Sequence, residues 1–410
     1  MATMLRSCTV ALLLLIAPPA RALGFDEALR LTPQSPRMQG LKTALEVRMQ
    51  LDAQVPNQTG NPELTVAPGI GLGASPGLAF QLGVQQSWNL ADLARARRQA
   101  AGGEREALAV ELRMQALEQR LATAQAWLVL WTAQAVLDAA RRELDLALQL
   151  QTALDKATLR GGMTSADAAE ARLYASEAEL RVVAAEGDVH DQAVVLARAL
   201  SLTPTPLPMA TGPLPTPTLP DENAWQAMVL RAARLPEARW QRLRALAERA
   251  RAVEIASMHG STLALGAAMQ RDGQGTTAIL GTFALKWNTL DRGQRAASQA
   301  AETVARIEAE ATHAGIDAAH RMAAAWHEVE HNREREKVLR DKVLAAAEQL
   351  TAVRERQFHL GAATVFEVLR ARQSRLDAQR RQIEATGTRT WAELKAWQLA
   401  AAIVDEGGEP

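Results

Sequence analysis

The sequence predicts a mainly α-helical chain with a small β part, in which long coiled-coil helices are joined to four β-strands. Three observations carry this prediction. The chain reads as one unit written twice. Each half contains a proline-free run far longer than an ordinary globular helix. Each half also contains two short segments of alternating apolar residues joined across a glycine-containing turn.

The repeat is read from matched strings. "WNLADLAR" at Trp88 meets "WNTLDRGQ" at Trp287, an offset of 199. "LRGGMTSADAAEAR" (Leu159 to Arg172) meets "FHLGAATVFEVLRA" (Phe358 to Ala371) at 199 or 200, depending on which of Gly161 and Gly162 is matched to Gly361. "QSPRM" at Gln34 meets "RLPEA" at Arg234 at 200. Between the halves, Thr203 to Pro220 contains seven prolines, an extended connector that cannot be helix. The organisation is therefore a leader at 1–22, a first repeat at 23–202, a linker at 203–220, a second repeat at 221–404 and a tail at 405–410.

Both repeats predict the same order of elements. A helical stretch (26–56; 221–257) leads into a β-hairpin. In "GLAFQLGVQQSW", Leu78, Phe80, Leu82 and Val84 share one face, while Ala79, Gln81, Gly83 and Gln85 share the other. In "TTAILGTFALKW", Ile279, Phe283, Leu285 and Trp287 share a face. The partner strands lie at 61–73 and 261–271, and about ten residues suits a tilted strand crossing a bilayer. A long helix follows, 91–157 in the first repeat, on which Val110, Met114, Leu117, Leu121, Ala124, Leu128, Trp131 and Ala135 form a coiled-coil seam. Trp127 and Leu130 lie off that seam and predict a second neighbour. Leu339, Val343, Ala346, Leu350 and Val353 repeat the rhythm. A glycine turn and a returning helix close each repeat (164–202; 364–403). At 1.5 Å per residue the long helix is a rod of ~100 Å, close to the summed length of the two shorter helices. Four strands cannot close a barrel, and an open sheet edge is not tolerated in lipid. Several copies must share one barrel, and three copies would supply twelve strands.

The N-terminus has one basic residue, the apolar run "TVALLLLIAPPA" and the small-residue end "ARA", which is the build of a secretory signal. The single cysteine, Cys8, lies inside it, so the exported chain has no thiol for disulfides, metals or catalysis. No later stretch is apolar enough for a transmembrane helix. The 46 basic residues balance 46 acidic ones, which excludes a general nucleic-acid binder.

The duplication, the "FDEALRL" opening, and a tip glycine followed six residues later by an acid (Gly161 with Asp167; Gly361 with Glu367) together resemble the TolC-type outer-membrane efflux channels. The resemblance covers essentially the whole mature chain, and "NPEL" at Asn61 is similar to the heavy-metal, CzcC-like branch. It implies a homotrimer in outer-membrane lipid, with a twelve-stranded barrel and a twelve-helix periplasmic tunnel. It also implies a periplasmic adaptor and an inner-membrane pump as partners, no cofactor, and no chemistry by the channel itself. The turns around Gly161, Gly162 and Gly361 would then be the adaptor-docking tips, and Asp167, Glu367 and Arg370 the pore constriction. Here the chain departs from the family pattern. Arg370 stands where a second acid is usual, and Phe358 and Ala363 replace the tyrosine and arginine that lock the closed tip. Arg370, one helical turn from Glu367, is placed to pair with it. A type I secretion duct, or a periplasmic coiled-coil adaptor or structural protein, are the alternative functions.

"WHEVEH" (Trp326 to His331) has the letter pattern of a zinc-protease helix. His327 and His331 share a helix face and can in principle chelate. A protease needs a third ligand, and Glu348, 17 residues on, lies ~25 Å along the same helix. His313, His320 and His327 recur every seven residues and read as a polar coiled-coil face.

Overall fold

Pro36 and Pro236 each open a helix, because the first turn is where a residue without an N–H is tolerated. They break what the sequence pattern joined. The helical stretches expected at 26–56 and 221–257 are each two helices: α1 (Phe25–Leu31) with α2 (Pro36–Ala53), and α5 (Glu222–Val229) with α6 (Pro236–Met258). The computed structural model describes residues 21–32, 36–53, 61–71, 77–91, 93–203, 205–272, 275–287 and 293–405. Most of the expected leader, most of the C-terminal tail and parts of both hairpin turns lie outside these residues.

Among the described residues helix predominates and strand is a small part, in keeping with a mainly α fold with a small β part. The long helix of the first repeat is α3 (Leu93–Leu159), followed by the returning α4 (Ser165–Ala199). In the second repeat the long helix is α7 (Gln294–Val338), a π turn (Leu339–Leu344) and α8 (Ala345–His359), followed by α9 (Val365–Asp405). The π turn accounts for the change of offset between the two long helices. Trp127 and Trp326 are 199 apart, whereas Asp155 and Glu355 are 200 apart, and the π turn lies between Trp326 and Glu355. A π turn accommodates one extra residue in the helix, which advances everything beyond it by one.

The chain divides into two compact units. The first comprises Met1–Gln39, Gln115–Arg231 and Ala319–Pro410. In it, β1 (Arg21–Gly24) pairs in parallel with β4 (Pro208–Thr211), a strand within the linker that the proline count had marked only as extended. Its main core gathers Leu23, Ala28, Trp127, Leu128, Leu130, Leu196 and Leu394. Trp127 stands edge-on to Phe25 at 5.3 Å and donates its indole N–H to the Leu23 carbonyl at 2.8 Å. The second neighbour expected from Trp127 and Leu130 is thus the N-terminal segment. The seam expected in the second repeat is not covered by the chain itself, since Val343, Leu350 and Val353 are exposed.

The second unit comprises Gly40–Met114 and Ala232–Ala318. Its centre is an antiparallel sheet in the order β2 (Glu63–Gly71), β3 (Gly77–Asn89), β5 (Thr262–Arg271), β6 (Thr277–Lys286). Register places Leu64 opposite Val84, Val84 opposite Ala267, Leu82 opposite Met269, and Met269 opposite Ile279. Since successive residues alternate faces, this aligns one apolar face across all four strands, and it is exposed: Leu78 by 84% and Ile279 by 81%. The other face carries Gln81, Gly83, Gln85, Ala264, Gly266, Ala268 and Thr282, mostly small or polar side chains, with Leu280 the large apolar exception among these strands. Gly266 is required there, because a Cβ would stand 2.4 Å from the Val84 carbonyl oxygen.

Candidate functional site

The two helical-hairpin tips are built by the same device. Gly161 has φ +78° and Gly361 φ +73°, a left-handed conformation that glycine adopts without a Cβ penalty. Each sits two residues past the last residue of its helix, one beyond the C-cap, in a Schellman closure. Gly161 N–H donates to the Thr158 carbonyl at 3.0 Å and Gly162 N–H to that of Ala157 at 2.9 Å. Gly361 N–H donates to Phe358 at 2.9 Å and Ala362 N–H to Gln357 at 2.8 Å. Gly161, not Gly162, is therefore the structural counterpart of Gly361.

Three residues past each tip glycine, threonine caps the returning helix. Thr164 Oγ1 accepts from the Asp167 N–H at 3.1 Å, and the Asp167 carboxylate accepts from the Thr164 N–H at 3.0 Å. This reciprocal capping box satisfies two otherwise orphaned donors. Thr364 and Glu367 repeat it at 3.3 and 2.9 Å. The expected constriction acids are thus helix caps, each spending one carboxylate oxygen on the backbone.

The tips differ in charge. Arg354 reaches the other Glu367 oxygen at 3.1 Å, so the partner of Glu367 is Arg354 and not Arg370. Arg370 is exposed. Position 354 in the second repeat corresponds to Leu154, a buried residue, in the first. Hydrogen bonding from the Thr364 backbone, with Arg354 adding to it, holds the Glu367 carboxyl below its ordinary value. Phe358 packs against the cluster of Leu154, Ala171, Tyr174, Val365 and Leu369, which joins the two tip hairpins.

A little further along the hairpins, two matched clamps hold each pair of helices. Arg172 donates to Asp155 at 2.8 and 3.2 Å, and Arg372 to Glu355 at 2.7 and 2.9 Å. Sequence reasoning missed a third polar group. Glu143, only 3% exposed, accepts from the Tyr174 hydroxyl and from Arg375 Nη2, the latter at 3.0 Å. Burial first, and the hydrogen bond to Glu143 second, push the Tyr174 hydroxyl well above its ordinary value. An acid interrupting an otherwise apolar helix face was the only signal in the sequence.

The "WHEVEH" residues lie on α7. His327 and His331 are exposed, with ring centroids 6.3 Å apart and planes 26° from parallel. Glu328 is ion-paired with Lys395 at 3.0 Å. Among the described residues no group of three His, Cys, Asp or Glu converges.

No family model and no curated protein matches the sequence. Solved structures do. The outer-membrane channel OprN is similar over 92% of this chain and 90% of its own, with 15% identity and a TM-score of 0.76. CusC, whose structures describe transmembrane channel formation, is similar over 92% and 91%, at 14% identity and TM-score 0.71. The outer-membrane protein VceC of Vibrio cholerae is similar over 92% and 95%, at 17% identity and TM-score 0.69. The chain has the fold of these outer-membrane proteins, over 92% of its length.

Proposed function

We propose that the chain is one protomer of a homotrimeric efflux channel in the outer membrane, conducting metal ions or small toxic compounds passively from the periplasm to the exterior. The observation that carries this reading is the four-stranded sheet. Among the described residues its edge strands β2 and β6 each have one unpaired side, and its apolar face is exposed. Open edges and an apolar face together suit a segment of a shared barrel facing lipid. The uncovered seam of Val343, Leu350 and Val353 supports neighbouring copies as well. Among the described residues no helix is long and apolar enough to cross a membrane, so the sheet is what this reading places in the bilayer.

In this reading the tips around Gly161, Gly162 and Gly361 meet a periplasmic adaptor, and an inner-membrane pump supplies the energy. Asp167, Glu367 and Arg370 line the narrow end of the tunnel. Threefold symmetry would make each pore-facing charge a ring of three, focusing potential in a confined passage. Half of each acid's hydrogen-bonding capacity is committed to a cap, and Arg354 offsets Glu367. The constriction is therefore less cation-attracting than a ring of free acids. The test is reconstitution into planar bilayers. Discrete channel openings, from protein extracted with outer-membrane fractions, are expected. Protein that stays in the soluble fraction and gives no conductance contradicts the proposal.

A further inference from the structure

We propose that His327 and His331 form a bidentate site for a borderline divalent cation of the Ni²⁺, Cu²⁺ and Zn²⁺ class, bound reversibly at the surface of α7. The inference rests on the helix face alone and does not depend on the channel reading.

Residues four apart rise about 6 Å along a helix and stand one above the other. The 6.3 Å between the ring centroids matches that spacing, and the rings lie within 26° of parallel. Both side chains therefore lean the same way. Both are exposed, and no hydrogen bond to another described residue holds either ring. Rotation about the side-chain torsions turns one nitrogen of each ring toward a common point, at the ~2.0 Å that imidazole–metal bonds require.

The backbone beneath the pair is fixed. Met322, Ala325 and Val329 on the opposite side of the same turns are buried, and Asn332 Nδ2 donates to the Glu328 carbonyl at 2.7 Å. A pair held on a rigid helix binds its second donor at high effective concentration, so two imidazoles together exceed either alone. Nearby charges do not oppose a cation. Lys395 is committed to Glu328 at 3.0 Å and Arg333 to Glu393 at 2.7 Å. The next turn carries Glu334 and Arg335, which are opposite in sign, and Glu330 adds one acid.

Neutral imidazole nitrogens select borderline first-row cations over Mg²⁺ and Ca²⁺, which prefer oxygen. No third His, Cys, Asp or Glu converges among the described residues, so water completes the coordination shell. Such a site exchanges its metal readily, unlike a closed structural zinc site.

The test is calorimetric titration of Ni²⁺ into the full chain, purified in detergent without a polyhistidine tag. One Ni²⁺ per chain is expected. His327→Ala and His331→Ala should each weaken binding by at least about tenfold, whereas His320→Ala and added Mg²⁺ should leave the isotherm unchanged. Circular dichroism reads the fold of each variant, and Asn at both positions repeats the test if alanine disturbs it. Absence of binding to the unsubstituted chain, an unchanged isotherm in the double variant, or an equal loss in His320→Ala overturns the assignment.

Discussion

Arg375 Nη2 donates to the buried carboxylate of Glu143 at 3.0 Å, across 232 residues of sequence. The contact ties the returning helix of the second repeat to the long helix of the first. Tyr174 completes the group from the returning helix of the first repeat. Removing Arg375 leaves a carboxylate that is only 3% exposed with a single neutral partner. Arg375→Ala is expected to cost about 3 kcal/mol. Tyr174→Phe, which removes one hydrogen bond and keeps the ion pair, is expected to cost about 1–2 kcal/mol. Thermal unfolding followed by circular dichroism checks the order of the two.

The tip glycines separate by conformation. Gly161→Ala and Gly361→Ala place a Cβ at φ +78° and +73°, although nothing else stands within 4 Å of either. Each is expected to cost about 1–2 kcal/mol from the left-handed backbone alone. Gly162 lacks a positive φ, and its Cβ would make only an ordinary 3.5 Å contact with the Ala157 carbonyl oxygen. Gly162→Ala is expected to be near neutral, and unfolding midpoints of the three variants read the difference.

Glu367 predicts an acid dependence. Its folded pKa lies below the ordinary glutamate value, chiefly through the Thr364 backbone N–H. Stabilisation by its charged form is therefore complete above the ordinary, unfolded value and is lost as pH falls through the lower folded one. Glu367→Gln should be less stable than the unsubstituted chain at neutral pH and converge with it in acid. A stability difference that persists unchanged into strong acid would assign the effect to something other than this carboxylate.

Much of this fold was legible in the sequence, and the misses have physical causes. Alternation in Leu78 to Val84 fixed the faces of β3, because a strand's period of two is written directly in its residues. The tip turn was legible from Gly161 and Gly361, since few other residues take that backbone angle. The T-x-x-D and T-x-x-E spacing at Thr164 and Thr364 announced capping boxes, yet Asp167 and Glu367 were read only as pore acids. The π turn left no letters of its own and showed only as a repeat offset that changed by one. The Glu143 group was not legible, because its partners lie 31 and 232 residues away and only the packed helices bring them together. The breaks before Pro36 and Pro236 were written in the sequence, but helical periodicity on both sides outweighed them.

Arg370 tests the proposed constriction. It is exposed, and Glu367 is paired with Arg354 instead. Arg370→Asp replaces three positive charges by three negative ones in a trimer, so planar-bilayer selectivity is expected to move toward cations and block by divalent metals to strengthen. Recordings unchanged in both properties would place Arg370 outside the pore.

The most direct measurement is native mass in detergent. Among the described residues the four-stranded sheet has an unpaired side at β2 and another at β6, and its apolar face includes the exposed Leu78 and Ile279. In the proposed shared barrel the β6 edge of one copy would join the β2 edge of the next, and three copies would give twelve strands. A detergent-dependent particle of three chains, without appreciable monomer, is the expected result. A monodisperse monomer, folded and soluble in plain buffer, would contradict the account.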